Sequence, residues 1–147
     1  MKTDTRTRER GSAMVETAIA LPLLLVLMVG IFEVGRAYQT WQVLTNAARE
    51  GARMSITPSG SSSNASALIR RYMEDGQLSK SADAKVDVNR SASIDVNGTP
   101  VSASRVTVDY PFEFIMLQPV VRLVAKGATV GGPITMRATA LMRNEAP

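Results

Sequence analysis

The chain has 147 residues, lacks cysteine and histidine, and carries a formal net charge of +4 at pH 7. The absence of these two residue types excludes disulfide bridges, thiol nucleophiles, imidazole general bases and zinc sites built on them. An enzyme would need Ser/Lys or carboxylate chemistry, and neither Lys80 nor Lys85 lies in a setting suited to it. We therefore expect no enzymatic activity, cofactor, metal site or small-molecule substrate. Residues 1–10 supply a net +2, from four basic and two acidic side chains, so too little charge remains for a nucleic-acid partner.

An apolar run from Gly11 to Phe32 dominates the first third of the chain. The 21 residues after Gly11 would form a helix of the length needed to cross a hydrocarbon layer. The basic leader before it should stay in the cytoplasm and be disordered unless lipid headgroups or another protein hold it. Everything after about Arg36 should then lie on the other side of the membrane. A cleaved secretory signal fits less well, because the small residues Ala18 and Ala20 lie at the start of the apolar core.

Glu16 is the one carboxylate inside this run. A charged side chain at the centre of a bilayer costs about 2.5 to 3.5 kcal/mol, and less near an end, so a simple anchor would gain nothing from it. We therefore expect a positively charged partner for Glu16. Its position, five residues after Gly11 and just beyond a basic leader, resembles the processing site of type IV prepilins. There a membrane peptidase cleaves after a glycine and leaves a glutamate as the fifth mature residue.

The prepilin resemblance implies cleavage between Gly11 and Ser12. It also implies that the new amine of Ser12 pairs with Glu16 of a neighbouring subunit inside the apolar filament core. Two positions depart from the pattern. Ser12 stands where ordinary type IV pilins carry a bulky apolar residue, and Thr17 stands where Flp-type prepilins usually carry an aromatic one.

Two longer stretches resemble one family in particular. Arg8 to Arg53 and the closing ITMRATALMRN, residues 134–144, resemble the TadE-like family, the minor pseudopilins of the tight-adherence (Flp) pilus machinery. The resemblance implies a bacterial inner-membrane protein whose partners are a prepilin peptidase, other pilins and pilus-assembly proteins of an adhesion or secretion apparatus. The alternative is an uncleaved single-pass anchor that displays a small periplasmic binding domain.

The helical pattern continues beyond the apolar run and predicts one helix over about 12–55. Its predicted apolar stripe consists of Val34, Tyr38, Trp41, Leu44, Ala48 and Ala52. Arg36, Tyr38 and Trp41 lie just past the run, where such side chains favour the headgroup layer of a membrane. Packing of the two rings on the globular domain is an equally weighted alternative.

Four small residues later in this helix form a patch: Ala47, Ala48, Gly51 and Ala52. The patch would let another helix or a sheet approach closely, either within the chain or from another subunit. The alternative is that these residues are simply good helix formers. The patch is therefore a candidate for a contact between subunits.

The rest of the chain predicts one small extracytoplasmic α+β domain. A helix over about 64–75 should be capped by Ser63 or Asn64 and ended by Gly76. Alternating residues predict strands near 84–89, 92–97 and 103–110 and a closing strand from 134, and Asn97-Gly98 predicts a hairpin between the second and third. Residues 111–126 fit either a short buried helix or an amphipathic segment resting on the membrane or on another subunit.

These predictions together give an α+β protein in which a long N-terminal transmembrane helix continues into a small domain with a short helix and antiparallel strands. The predicted divisions are a basic leader at 1–11, the transmembrane and extended helix at 12–56, and the extracytoplasmic domain at 57–147.

Overall fold

The computed structural model describes residues 5–57, 60–124 and 132–145, with only the backbone described for 5–11, 118 and 122–124. In these parts of the chain it contains three helices and one sheet. The helices are α1 (Thr5–Ser55), α2 (Ser62–Asp75) and α3 (Leu117–Val124), and the strands are β1 (Lys85–Val96), β2 (Thr99–Phe112) and β3 (Ile134–Arg143). The predicted α+β class, with a long apolar helix at the N-terminus, is confirmed. The first residues of the predicted leader, the middle of the turn after α1 and the end of the 111–126 segment lie outside the described residues.

The chain divides into two compact units. The first unit contains α1 up to Gly35 together with the segment from Phe114 that carries α3. The second unit contains α1 from Arg36 onwards, α2 and the sheet. Residues of one helix, α1, therefore contribute to both units.

α1 begins earlier than the sequence predicts. Its backbone is helical from Thr5, whereas the pattern placed the start near residue 12 and the leader in a disordered segment. The arginines and the glutamate between Thr5 and Gly11 are good helix formers, and no proline interrupts them, so the helix extends through this polar stretch. The predicted end at Ser55 is confirmed.

α2 is capped by a different residue from those predicted. The hydroxyl of Ser61, on an extended backbone, accepts a hydrogen bond from the amide of Asn64 at 3.1 Å, so the helix begins at Ser62. The prediction that Ser63 or Asn64 is the cap was wrong. The prediction that Gly76 ends the helix is confirmed by the bond from its amide to the carbonyl of Tyr72 at 3.0 Å.

The sheet has three antiparallel strands in the order β1-β2-β3. The predicted hairpin is confirmed, because Asn97 and Gly98 have φ of 55° and 82° and join β1 to β2. The strands predicted at 84–89 and 92–97 are one strand, since a register shift between Asn89 and Ala92 forms a bulge without ending the pairing. The predicted closing strand is confirmed as β3, which pairs with β2.

The small-residue patch is buried inside the second unit. Gly51 marks the closest approach, because a Cβ at this position would lie 2.6 Å from Cγ1 of Ile69 on α2 and 3.7 Å from Cγ1 of Val106 on β2. The patch therefore accommodates an intramolecular contact with a helix and a sheet. Part of the predicted stripe was wrong, since the buried face of α1 in this unit runs through Thr40, Leu44, Ala48, Ala52 and Ser55, whereas Tyr38 and Trp41 are exposed.

Candidate membrane-spanning and assembly segment

The apolar run exposes its side chains. Only 6% of the most apolar 18-residue window of α1 is buried, whereas the core helix of a soluble protein would be mostly buried. Among the described residues this is the one helix long and apolar enough to cross a membrane. The geometry of α1 therefore suits contact with lipid or with other apolar helices.

The residues of the predicted processing site lie in the first turns of α1. Gly11 has a helical backbone, and Ser12 and Glu16 are exposed one helical turn apart. The hydroxyl of Thr17 donates to the carbonyl of Ala13 at 2.8 Å, which satisfies this polar group within the helix. Because a glycine in a helix costs about 1 kcal/mol relative to alanine, Gly11 lowers the local stability of α1 at the predicted cleavage site. Cleavage and charge pairing remain predictions.

Tyr38 and Trp41 lie on the outside of α1. Their side chains are 60% and 47% exposed, and their ring centroids are 6.4 Å apart. The hydroxyl of Tyr38 accepts a hydrogen bond from Nε2 of Gln42 at 2.7 Å. This exposure is unlike core packing and leaves both rings available to a headgroup layer, a role that remains a prediction.

Arg36, the third residue predicted for the membrane interface, is partly buried and contacts the end of β2. Its guanidinium carbon lies 4.7 Å from the centroid of the Phe112 ring, and its Nη2 donates to the carbonyl of Glu113. The carboxylate of Glu113 also forms an ion pair with Lys80 at 2.5 Å. In this structure Arg36 therefore fixes the end of a strand, and its predicted contact with headgroups remains a prediction.

Glu33 is the residue of this region that the sequence analysis missed. It directly follows the apolar run, yet its side chain is only 1% exposed. Its Oε1 accepts hydrogen bonds from the backbone amides of Ile115 at 2.7 Å, Met116 at 2.5 Å and Leu117 at 3.4 Å. Glu33 therefore caps the start of α3 within the first unit.

Nothing in the local pattern of the sequence reveals this role. A glutamate after an apolar run normally indicates exposure to water, and the amides that it binds lie more than eighty residues further along the chain. The one available signal is the position of a carboxylate at the end of the run. That signal does not identify a partner.

Residues 11–53 match the family model described as TadE-like protein. The match confirms the resemblance predicted from Arg8 to Arg53, and it starts at the glycine of the predicted processing site. Among the described residues, the one long apolar helix supports single-pass membrane anchoring. No curated protein and no solved structure matches the chain.

The TadE-like segment, residues 11–53, contains every residue predicted for processing, subunit pairing and the membrane interface. It also contains Glu33 and the small-residue patch. The segment ends two residues before the end of α1, so α2, α3 and the sheet lie outside the match.

A cluster of polar side chains holds the end of α1 just beyond the TadE-like segment. Arg90, in the bulge of β1, donates to the carbonyls of Ser55 at 3.0 Å and Thr57 at 3.2 Å. The side chain of Asn144 donates to the carbonyl of Arg90 at 3.1 Å and accepts from the hydroxyl of Ser104 at 2.7 Å. The bulge and the closing segment therefore satisfy carbonyls that the end of the helix leaves open.

The face of the sheet that is turned away from the core carries a row of charges across all three strands. Lys85 of β1 is paired in register with Asp109 of β2, and Asp109 with Arg137 of β3. Arg137 donates two hydrogen bonds to Asp109, at 2.6 and 2.9 Å. These bonds hold the pKa of the Asp109 carboxyl below its usual value, and the charge of Lys85 contributes less. The described residues contain no cluster of three acidic side chains suited to a metal ion.

Proposed function

We propose that the chain is a minor pseudopilin, trimmed by a prepilin peptidase, that joins the assembly of Flp or Tad-type pili through α1. The observation that carries the proposal is the TadE-like match, which begins at Gly11 and covers the exposed apolar run with the one acidic residue inside that run, Glu16. The fold and the exposed side chains of α1 are compatible with this role.

Trimming after Gly11 would leave a positive amine on Ser12. Glu16 is exposed on the same helix and would be costly in hydrocarbon unless a cation neutralises it. Next to it, small and apolar side chains line a shallow groove on α1: Ala13, Met14, Thr17, Ala18 and Leu21. Small side chains let membrane helices approach closely, so this groove favours a neighbouring pilin helix whose amine could reach Glu16.

The proposed location is the bacterial inner membrane. The basic leader would remain in the cytoplasm, and the second unit would lie on the outer side. The apolar surface of α1 would face lipid before assembly and other pilin helices afterwards. The prepilin peptidase and the pilins are thus partners of the same segment at successive stages.

The experiment that tests the proposal is the substitution Glu16→Gln in the full chain, expressed with the native peptidase and pilins. Removing the charge should leave insertion intact or improve it, and should abolish incorporation into the pilus complex. Processing is followed in the same strain by the mass of the mature chain, because a glutamate near a cleavage site can also guide the peptidase. Incorporation is measured by co-purification with pilins.

The matched control is Glu50→Gln, the same chemical change on the same helix. Glu50 forms an exposed ion pair with Arg53, of a kind worth about 1 kcal/mol or less, so this variant should assemble normally. Cleaved and inserted Glu16→Gln protein that still co-purifies with its pilins and supports piliation would refute the pairing. Full function without any cleavage would favour the alternative of an anchor that displays a periplasmic domain.

A further inference from the structure

We propose that Glu33 holds residues 114–117 against the membrane, so that Ile115 and Met116 insert into the lipid interface beside the end of the α1 span. The segment would be a second and shallow membrane contact, separate from the span. The inference rests on the membrane span of the proposed function, and it does not depend on cleavage or on pilus assembly.

The depth of the segment follows from its hydrogen bonds. Glu33 is the first residue after Phe32, the last residue of the apolar run. Its carboxylate binds the amides of Ile115 and Met116 at 2.7 and 2.5 Å, so both backbones are hydrogen-bonded to the first residue beyond the run. When the run crosses the bilayer, these two residues are therefore held at the boundary between hydrocarbon and headgroups.

The side chains at this depth are apolar and exposed. Ile115 is 61% exposed and Met116 is 47% exposed, and the last residues of the run, Ile31 and Phe32, also expose more than half of their surface. Large apolar side chains gathered at one level are unfavourable in water. Lipid covers Ile31 and Phe32 in a spanning helix, and the same layer is within reach of Ile115 and Met116.

The hydrogen bonds of the Glu33 carboxylate fit this depth. At the edge of hydrocarbon these amides need an acceptor from the protein. Glu33 supplies one oxygen to three consecutive amides, and these bonds in turn offset part of the cost of burying its charge.

Single cysteines test the contact, because the chain has none of its own. Ile115→Cys and Met116→Cys are each labelled with the fluorophore NBD in the full chain and reconstituted into vesicles of phosphatidylcholine and phosphatidylglycerol. A lipid with a spin label at carbon 5 of its acyl chain then quenches any label near the interface. Met28→Cys, in the span, and Thr139→Cys, on the exposed face of the sheet, are the controls.

We expect quenching at positions 115 and 116 to approach that at 28 and to exceed that at 139 several-fold. Strong quenching at 28 with values at 115 and 116 equal to that at 139 would overturn the inference and leave the span intact. If another protein subunit covered this segment, quenching at 115 and 116 would also fall to the value at 139, and this outcome would likewise overturn the inference. Absence of quenching at 28 would instead refute the span itself, and the inference with it.

The role of Glu33 is tested in the Met116→Cys background. Glu33→Ala removes the acceptor and should reduce quenching at 116 to the level at 139. As a control, Glu33→Ala in the Met28→Cys background should leave quenching at 28 unchanged. Glu33→Gln keeps an oxygen acceptor and should retain part of the quenching. Unchanged quenching at 116 in Glu33→Ala would overturn the role of Glu33. If Glu33→Ala fails to fold, the measurements with Glu33 present still decide whether the segment contacts lipid.

Discussion

Gly51 is the point at which the close approach of α1 and α2 can be tested quantitatively. A methyl group added there would lie 2.6 Å from Cγ1 of Ile69, well inside van der Waals contact. Overpacking of this kind costs about 1 to 3 kcal/mol, whereas replacing glycine by alanine in a helix gains about 1 kcal/mol. Gly51→Ala should therefore lower the free energy of unfolding by up to about 2 kcal/mol, despite its better helix propensity.

A second substitution identifies the cause. The added methyl would lie too close to both Cδ1 and Cγ1 of Ile69, and Ile69→Ala removes both atoms. On its own this change should cost about 2 to 5 kcal/mol, but in the Gly51→Ala background it should cost less. The double-mutant cycle should show a favourable coupling of at least about 0.5 kcal/mol between the two sites.

The assay is urea unfolding of the full chain in detergent micelles, followed by far-ultraviolet circular dichroism. Gly35→Ala, on the same helix, is the control. A Cβ at Gly35 would have no side chain and no backbone from beyond its own helical turns within 4 Å. That variant should be neutral or slightly stabilised. A Gly51→Ala protein more stable than the parent, or effects of the two substitutions that simply add, would refute the inferred close packing.

Three further predictions concern processing, orientation and acid stability. Gly11→Val should block maturation and let the unprocessed form accumulate in the membrane, because the peptidase must bring its catalytic groups close to the backbone; normal maturation would count against the cleavage site. A reporter that works only outside the cytoplasm should be active when fused after Asn144, and activity restricted to a cytoplasmic reporter would refute the orientation. Asp109→Asn removes an ion pair with the exposed side chain of Arg137 and should cost about 1 kcal/mol or less at pH 7. Since Arg137 lowers the folded-state pKa of Asp109, the stability from this pair is present above the unfolded pKa of about 3.9 and is lost as the pH falls through the folded value. The variant should therefore lose less stability on acidification than the parent, which melting curves between neutral and acidic pH would show.

Features that depend on neighbouring residues could be predicted from the sequence. The length and composition of the apolar run, which suit a membrane, predict the long helix. Asn97-Gly98 predicts the hairpin, because both residues adopt positive φ readily. The alternation in residues 134–143 likewise gives β3. In each case the local preference and the final structure agree.

Features that depend on packing between distant residues could not be predicted. The burial of Glu33 follows from its bonds to amides near Ile115, which no local pattern reveals. The continuity of β1 follows from its pairing with β2, which carries the strand through a bulge where the alternation of the sequence breaks. The buried face of α1 was only partly predicted, because contact with α2 and the sheet decides which side of the helix is covered.

The measurement that tests the central claim most directly is the intact mass of the chain purified from membranes of cells that express the native prepilin peptidase. If the chain is a processed pseudopilin, the mature protein should begin at Ser12 and lack residues 1–11. A membrane protein that still begins at Met1 under these conditions would contradict the claim.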